Sequence, residues 1–192
     1  MQTPSLSGAS RWLTRYYSAR AAFSLAWVAA AFALGRGHAA VAAVLLCLYP
    51  AWDAVANYVD AVRSGGLRRN PTQALNAVVS LVAAAMALLA VQRGPGPVLG
   101  LFGAWAIVAG LLQLATAVRR WKTQSAQWAS VLSGAQSALA GGFFIKQAFA
   151  PVAPPIVTIA GYAAIGALYF LVSAIWLALK ARRGGAGEPV GA

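Results

Sequence analysis

The sequence predicts an all-α, polytopic membrane protein with six transmembrane helices arranged as three helix-hairpin repeats. Hydrophobic residues make up 60% of its 192 residues and charged residues only 9%, whereas a soluble domain carries about 25% charged residues. Apolar segments of the length that crosses a hydrocarbon core, about 20 helical residues, recur six times. Positive charges alternate between successive loops, as they do in multi-pass proteins. These three observations argue against a soluble fold.

The six apolar segments are separated by glycine, proline and polar residues, which interrupt helices. Backbone groups in lipid must pair internally, and runs of this length without alternation favour helices over barrel strands. We place the helices near residues 17–35, 39–62, 73–91, 98–118, 128–147 and 156–179. The breaks are predicted at 35–38, 64–71, 94–97, 122–127 and 151–155.

The distribution of basic residues predicts the orientation of the chain, because cytoplasmic loops are enriched in Lys and Arg. Twelve of the 15 basic residues lie in the N-terminal segment, the second loop, the fourth loop and the tail. Both termini are therefore predicted to be cytoplasmic. Anionic inner-leaflet lipid is an expected partner and nucleic acid is not, because the charges do not form one patch on a polar domain. The twelve are Arg11, Arg15, Arg20, Arg63, Arg68, Arg69, Arg119, Arg120, Lys122, Lys180, Arg182 and Arg183.

The first helix has an alternative interpretation. A basic N-terminus followed by the apolar stretch 21–34 is also typical of a cleaved signal peptide. We favour a retained membrane helix. The chain is built from helix pairs, and cleavage would leave the second helix without its partner. The whole chain, 1–192, is then a single membrane domain, with a disordered tail at 181–192.

Three hairpin repeats are predicted at about 15–63, 70–120 and 126–180. Their second helices share two small residues followed by an aromatic residue, or a close variant: Tyr49-Pro50-Ala51-Trp52, Phe102-Gly103-Ala104-Trp105 and Ile159-Ala160-Gly161-Tyr162. Their first helices share a serine, at Ser24, Ser80 and Ser137. Self-similarity at a fixed period is typical of repeat architectures. Chance similarity between alanine-rich helices is the alternative.

The segment from Leu101 to Arg119, LFGAWAIVAGLLQLATAVR, resembles the short-repeat membrane proteins of the HdeD type, together with its hairpin and the copies around it. The resemblance covers about residues 15–180. It implies a bacterial inner-membrane protein associated with acid resistance and the stress response. Relatives commonly have an Asp-Gly pair where this chain has Ala109-Gly110, so the acid is missing here. A polar residue three positions later, often Arg in relatives, corresponds to Gln113.

The candidate site is a polar stripe on the second helix. Asp53, Asn57 and Asp60 follow the spacing i, i+4 and i+7, which places them on one helix face. Ionisable residues inside a membrane usually face the bundle interior. We expect Asp60 to form a structural ion pair, with Arg63 three residues later and Arg20 at a similar depth.

Asp53 lies nearer the middle of the membrane, and two roles are open for it. One hypothesis is that it exchanges protons or senses pH, with Asn57 and Gln73, Asn76 or Gln136 completing a polar interior. The alternative is that a protonated or hydrogen-bonded Asp53 only fixes helix packing. A single cysteine and a single histidine leave almost no material for metal or triad chemistry, so we expect no enzyme, no cofactor and no metal site.

The sequence leaves two functional hypotheses. The first is an accessory stress-response membrane protein without enzymatic activity, acting on the lipid bilayer, on further copies of itself or on another membrane protein. The second is a small transporter or channel with a polar path near Asp53.

Overall fold

The computed structural model describes residues 6–122, 127–151 and 156–185, and these form helices and short turns without a strand. A π-helical turn, Ala31–Gly35, follows the first helix, and a short 3₁₀ turn, Leu67–Arg69, precedes the third. The α-helices are α1 Leu6–Ala30, α2 Ala39–Arg63, α3 Pro71–Arg93, α4 Pro95–Arg120, α5 Gln127–Ala148 and α6 Ile156–Gly185.

The helices form a closed ring in which each packs against its neighbours in sequence and α1 packs against α6. The most closely packed pairs include α4 with α5, α1 with α6, and α2 with α3. By contrast, α1 with α2 and α5 with α6 contact each other less. Neighbouring hairpins therefore pack closely against each other, whereas the two helices within the first hairpin, and the two within the third, make fewer contacts.

The two ends of the bundle differ in charge. We call the end that carries the turns 64–70 and 121–122 the basic end, and the end that carries Arg36, Arg93 and Lys146 the opposite end. At the opposite end the predicted 94–97 break is wrong in extent, because Gly94 alone separates α3 from α4. Its φ of +106° suits glycine, and the two following prolines fit the first turn of a helix.

Helix α6 also departs from the prediction, since it continues through Gly185 into the segment expected to be disordered. The sequence of its last turns contains lysine and arginine, which have high helix propensity. Residues 186–192 lie outside the described residues.

Five helical segments are long and apolar enough to cross a membrane. Helix α5 is not among them, although the sequence predicted six spans. Its serines and glutamines lower its hydropathy, and several of them are buried inside the bundle, including Gln127, Ser133 and Ser137. Large apolar side chains are instead exposed on the outside, as a membrane protein requires. The five segments are Arg11–Gly35, Ala39–Arg63, Pro71–Arg93, Pro95–Arg120 and Ile156–Lys180.

Glycines bring α5 against α4 at two points seven residues apart. A Cβ atom on Gly110 would lie 2.6 Å from the carbonyl oxygen of Gly134, and one on Gly141 would lie 2.5 Å from that of Gly103. Both distances are too short for a carbon atom, so the two backbones approach this closely only because no side chain intervenes. Small residues serve the same purpose in membrane helix pairs.

The interior of the bundle has two halves of different character. The half towards the opposite end is an apolar cluster to which all six helical segments contribute. The half towards the basic end contains a polar cavity. The buried members of the cluster are Trp27, Ala31, Leu45, Leu46, Ala83, Ala90, Val98, Leu99, Phe102, Trp105, Phe144, Ile159, Ala160 and Ala163.

Candidate functional site

The polar cavity has a volume of about 90 Å³ and is lined by residues of all six helices. A water molecule needs about 10–15 Å³ of such volume, so the cavity has room for several. All four predicted site residues line it. The polar and charged lining residues are Tyr16, Tyr17, Arg20, Tyr49, Asp53, Asn57, Asp60, Gln73, Asn76, Trp105, Gln113, Thr116, Arg120, Gln127, Ser130, Ser133, Ser137 and Tyr162.

Arg20 of α1 forms an ion pair with Asp53 of α2. Its guanidinium also donates a hydrogen bond of 2.9 Å to the hydroxyl of Tyr16 and lies 4.3 Å from the ring centroid of Phe170. The two side chains of the pair are only 14% and 13% exposed. Asp53 is therefore a charge-paired group within the bundle rather than an isolated carboxyl.

The carboxylate of Asp53 also connects α2 to α3 and α4. Its Oδ2 accepts hydrogen bonds from Nδ2 of Asn57 at 2.9 Å and from the hydroxyl of Ser80 at 2.8 Å. The indole Nε1 of Trp105 donates in turn to the Ser80 hydroxyl at 2.9 Å. One carboxylate thus organises side chains from four helices.

A second ion pair joins Asp60 of α2 to Arg120 of α4, with 2.8 Å between Oδ2 and Nη1. Oδ2 of Asp60 also accepts from Nε2 of Gln73 at 3.2 Å, and its Oδ1 from the Ser64 hydroxyl at 3.1 Å. The same arginine donates to Oδ1 of Asn70 at 2.9 Å. This pair fixes the basic end of α2 to that of α4.

The ion-pair partners differ from the expected ones. The sequence pointed to Arg63 or Arg20 as the cation near Asp60, but Arg20 pairs with Asp53 instead. The guanidinium of Arg63 lies 5.2 Å from the ring centroid of Trp12. The cation beside Asp60 is Arg120, the last residue of α4, which is 60 positions away in the sequence.

Helix α5 contributes a third polar sector that carries hydroxyls and amides. The hydroxyls of Tyr17 and Ser130 lie 3.4 Å apart, and Nε2 of Gln113 donates to the Ser130 carbonyl at 3.3 Å. Nearer the middle of the bundle, the Tyr162 hydroxyl donates to that of Ser137 at 2.8 Å. These contacts pair the hydroxyls of Ser130 and Ser137 on α5 with groups of the neighbouring helices.

Some buried polar atoms have no hydrogen-bond partner among the described residues. They include Nε of Arg20, Oδ1 of Asn76 and Oε1 of Gln136. Gln73 and Asn76 line the cavity as expected, whereas Gln136 does not. Of the three residues expected to complete the polar interior, Gln73 and Asn76 therefore do so and Gln136 does not.

Aromatic pairs separate the cavity from the apolar half. In each pair one ring lines the cavity and the other belongs to the apolar cluster. The centroid distance is 5.6 Å between Phe102 and Trp105, and also 5.6 Å between Phe144 and Tyr162. It is 4.6 Å between Trp27 and Tyr49. We call these six rings the aromatic layer, and beyond it lies the apolar cluster, with the buried Oε1 of Gln147 also on that side.

The three serines shared by the predicted repeats have equivalent contacts. Each is buried and forms a hydrogen bond with an aromatic residue from the second helix of its own hairpin. The first repeat differs in one respect. The alignment pairs Trp52 with Trp105 and Tyr162, but the partner of Ser24 is Tyr49, and Trp52 stacks on Phe23. The three pairs are Ser24 with Tyr49, Ser80 with Trp105, and Ser137 with Tyr162.

Residues 75–146 match the family described as a short repeat of unknown function, DUF308. The match begins in α3, includes α4 and ends in α5, so it covers one predicted hairpin and the first helix of the next. The resemblance to HdeD-type proteins is consistent with this match, which does not itself name that family. No curated protein and no solved structure matches the chain significantly.

Sequence reasoning missed Arg120, Tyr16 and Trp105 as parts of the site. Arg120 was counted only as a loop charge, although Gln113, Thr116 and Arg120 follow the spacing i, i+3 and i+7 on one face of α4. That pattern could have identified it as a partner for the stripe on α2. Within the described residues, no three His, Cys, Asp or Glu side chains are grouped so as to hold a metal ion.

Proposed function

We propose that the chain is an accessory stress-response protein of the bacterial inner membrane, with six spans, cytoplasmic termini and no enzymatic activity. The observation that carries the proposal is the charge-paired polar cavity, which is separated from the opposite end by the aromatic layer. Two carboxylates paired with two guanidiniums form a neutral, hydrogen-bonded interior. Such an interior suits a protein that acts through its packing and its surfaces better than it suits an open pore.

Six spans are supported by how α5 packs. Its two glycine contacts with α4 are seven residues apart, so the helices run side by side over at least two turns. Its 22 residues correspond to about 33 Å at about 1.5 Å per residue, close to the thickness of a hydrocarbon core. Of the polar side chains that lower its hydropathy, Gln127, Ser133 and Ser137 are buried inside the bundle.

Three repeats are supported by two independent features. The serine–aromatic hydrogen bonds occur at matching positions of the second and third hairpins, and in the first hairpin the aromatic residue lies one helical turn earlier. Close packing also recurs between the second helix of one hairpin and the first helix of the next. Successive two-span repeats keep the same orientation in the membrane. They would therefore be related by an axis along the membrane normal.

The acid-stress role is supported by the resemblance to HdeD-type proteins and by the position of both membrane carboxylates on one cavity. With cytoplasmic termini, that cavity lies in the cytoplasmic half of the membrane. Protonation of Asp53 or Asp60 would leave a largely buried guanidinium without its counter-charge, which is costly in a low-dielectric interior. Proton exchange at Asp53 stays a prediction.

Survival after acid shock tests this function. A deletion strain is complemented with the wild-type chain, Asp53→Asn or Asp60→Asn, with the membrane abundance of each measured by immunoblot. We expect the wild type to restore survival. Loss of rescue by Asp53→Asn at equal abundance would support the proton-exchange role, and equal rescue by all three would assign the carboxylates to structure. Failure of the wild type would contradict the stress-response function.

A small transporter is the second candidate, and the cavity shared by all six helices favours it. Transport would require the aromatic layer to open, because the apolar cluster lies directly beyond it. Purified protein in liposomes distinguishes the two functions. The accessory function predicts no proton or solute flux above that of empty vesicles, whereas transport predicts flux that Asp53→Asn reduces.

A further inference from the structure

We propose that the outer surface between α2 and α3 binds one phospholipid, with its acyl chain in a groove and its phosphate at Arg36. The groove has two parts. The first, about 550 Å³, lies between α2 and α3 and includes Cys47 in its lining. The second, about 370 Å³, lies at the opposite end, where α4 and α6 also contribute to its lining, and it includes Arg36. Ala43 and Val91 line both parts, so the two parts adjoin one another at these residues.

The shape of the groove follows from side-chain size. Small side chains recur every four residues along one face of α2 and form the floor, at Ala39, Ala43, Cys47 and Ala51. Longer side chains stand on either side of this floor and are well exposed, among them Val44, Leu48, Leu81 and Leu88. A channel with a flat floor and raised apolar walls accepts a flexible hydrocarbon chain.

The length of the groove matches one lipid leaflet. From Ala39 to Ala51, α2 rises about 18 Å at about 1.5 Å per residue. Half of a hydrocarbon core is about 15 Å. The groove therefore extends from the opposite end to about the middle of the membrane, as one acyl chain of the leaflet on that side does.

The charge at the mouth of the groove identifies the head group. Arg36 is exposed in the turn between α1 and α2, and the other side chain in this lining that carries a polar group is that of Gln92. A guanidinium binds a phosphate with two parallel hydrogen bonds. A cation at the end of an apolar groove fits a molecule that joins a phosphate to a hydrocarbon chain. A second copy of this chain would have to supply an anion at that position.

Photocrosslinking in vesicles tests the proposal. The full-length chain is reconstituted with a trace of phosphatidylglycerol that carries a diazirine on its acyl chain, and crosslinked peptides are mapped by mass spectrometry. Labelling is expected to concentrate on residues 43–51 and 81–91, well above that on the lipid-facing side of α6. Arg36→Gln should reduce this labelling about fivefold, the factor that corresponds to about 1 kcal/mol for one surface charge.

Matched variants control for general effects. Arg93→Gln removes an exposed charge at the same end, outside the groove lining, and should leave labelling unchanged. Ala85→Phe fills the groove and should abolish labelling there, whereas Ala104→Phe adds the same ring to an exposed position on α4 and should not.

Three results would overturn the proposal. The first is even labelling over all lipid-facing helices, and the second is equal labelling of the Arg36→Gln and Arg93→Gln variants. The third is efficient disulfide formation between two copies through Cys47, the chain's single cysteine, which would place a second copy at the groove. The proposal does not depend on the acid-stress role, so neither result decides the other.

Discussion

Removing one member of the Arg20–Asp53 pair should destabilise the bundle more than removing both. Arg20→Gln leaves the carboxylate of Asp53 without a counter-charge, and Asp53→Asn does the same to the guanidinium. The double variant is neutral and keeps hydrogen-bonding side chains at both positions. Because the pair also joins α1 to α2, which otherwise contact each other little, the effect should fall on the packing of the whole ring.

The magnitude follows from burial. Breaking a buried ion pair by removing one partner costs about 3–5 kcal/mol. Both side chains keep a small exposed fraction, 14% and 13%, beside a cavity that has room for water. We therefore expect the lower end, about 3 kcal/mol for each single variant. The double variant should lose only the hydrogen bonds, about 1–2 kcal/mol, so the coupling between the two positions is favourable.

Unfolding in mixed detergent micelles with increasing dodecyl sulfate, followed by tryptophan fluorescence, measures these free energies. Arg15→Gln removes an exposed charge of the same helix and serves as the control, with little expected change. If the loss in the double variant equals the two single losses added together, the residues are uncoupled and the ion pair does not organise the interior.

Two further predictions use the same unfolding assay. Gly110→Ala places a Cβ 2.6 Å from the carbonyl oxygen of Gly134 and should cost about 1–3 kcal/mol by overpacking. Gly142→Ala, whose Cβ meets nothing within 4 Å, should not destabilise, and equal effects would contradict the close α4–α5 packing. Ser80→Ala removes the acceptor of Trp105 Nε1 and a donor to Asp53, and should cost about 1–3 kcal/mol by leaving a buried N–H unpaired. An unchanged unfolding midpoint for Ser80→Ala would show that this contact contributes nothing.

The membrane character and the polar stripe on α2 could be predicted from the sequence because both depend on local patterns. Low charge and long apolar runs predicted the helices, although α5 is less apolar than the other five. Helical spacing placed Asp53, Asn57 and Asp60 on one face, and the structure places all three at the cavity. Helix periodicity reports the face on which a residue lies, and this needs no knowledge of the neighbouring helix.

The ion-pair partners could not be predicted because they depend on how helices far apart in sequence are aligned along the membrane. Arg120 pairs with Asp60 across 60 positions, and Arg20 reaches Asp53 rather than the carboxylate nearer the basic end. Those alignments are set by packing details such as the glycine contacts between α4 and α5. The cavity and the aromatic layer likewise exist only once all six helices are assembled.

Cysteine accessibility tests the central claim, which is that the polar cavity is open at the basic end, proposed to be cytoplasmic, and is closed towards the opposite end by the aromatic layer. In a Cys47→Ala background, Ser130→Cys, at a half-buried position of the cavity lining, reports on the cavity, and Ala163→Cys reports on the apolar half. Each is treated with a small, membrane-impermeant methanethiosulfonate reagent in inside-out and right-side-out vesicles. We predict that Ser130→Cys is labelled only in inside-out vesicles and that Ala163→Cys is labelled in neither. Labelling of Ser130→Cys in right-side-out vesicles, or of Ala163→Cys in either, would contradict the claim.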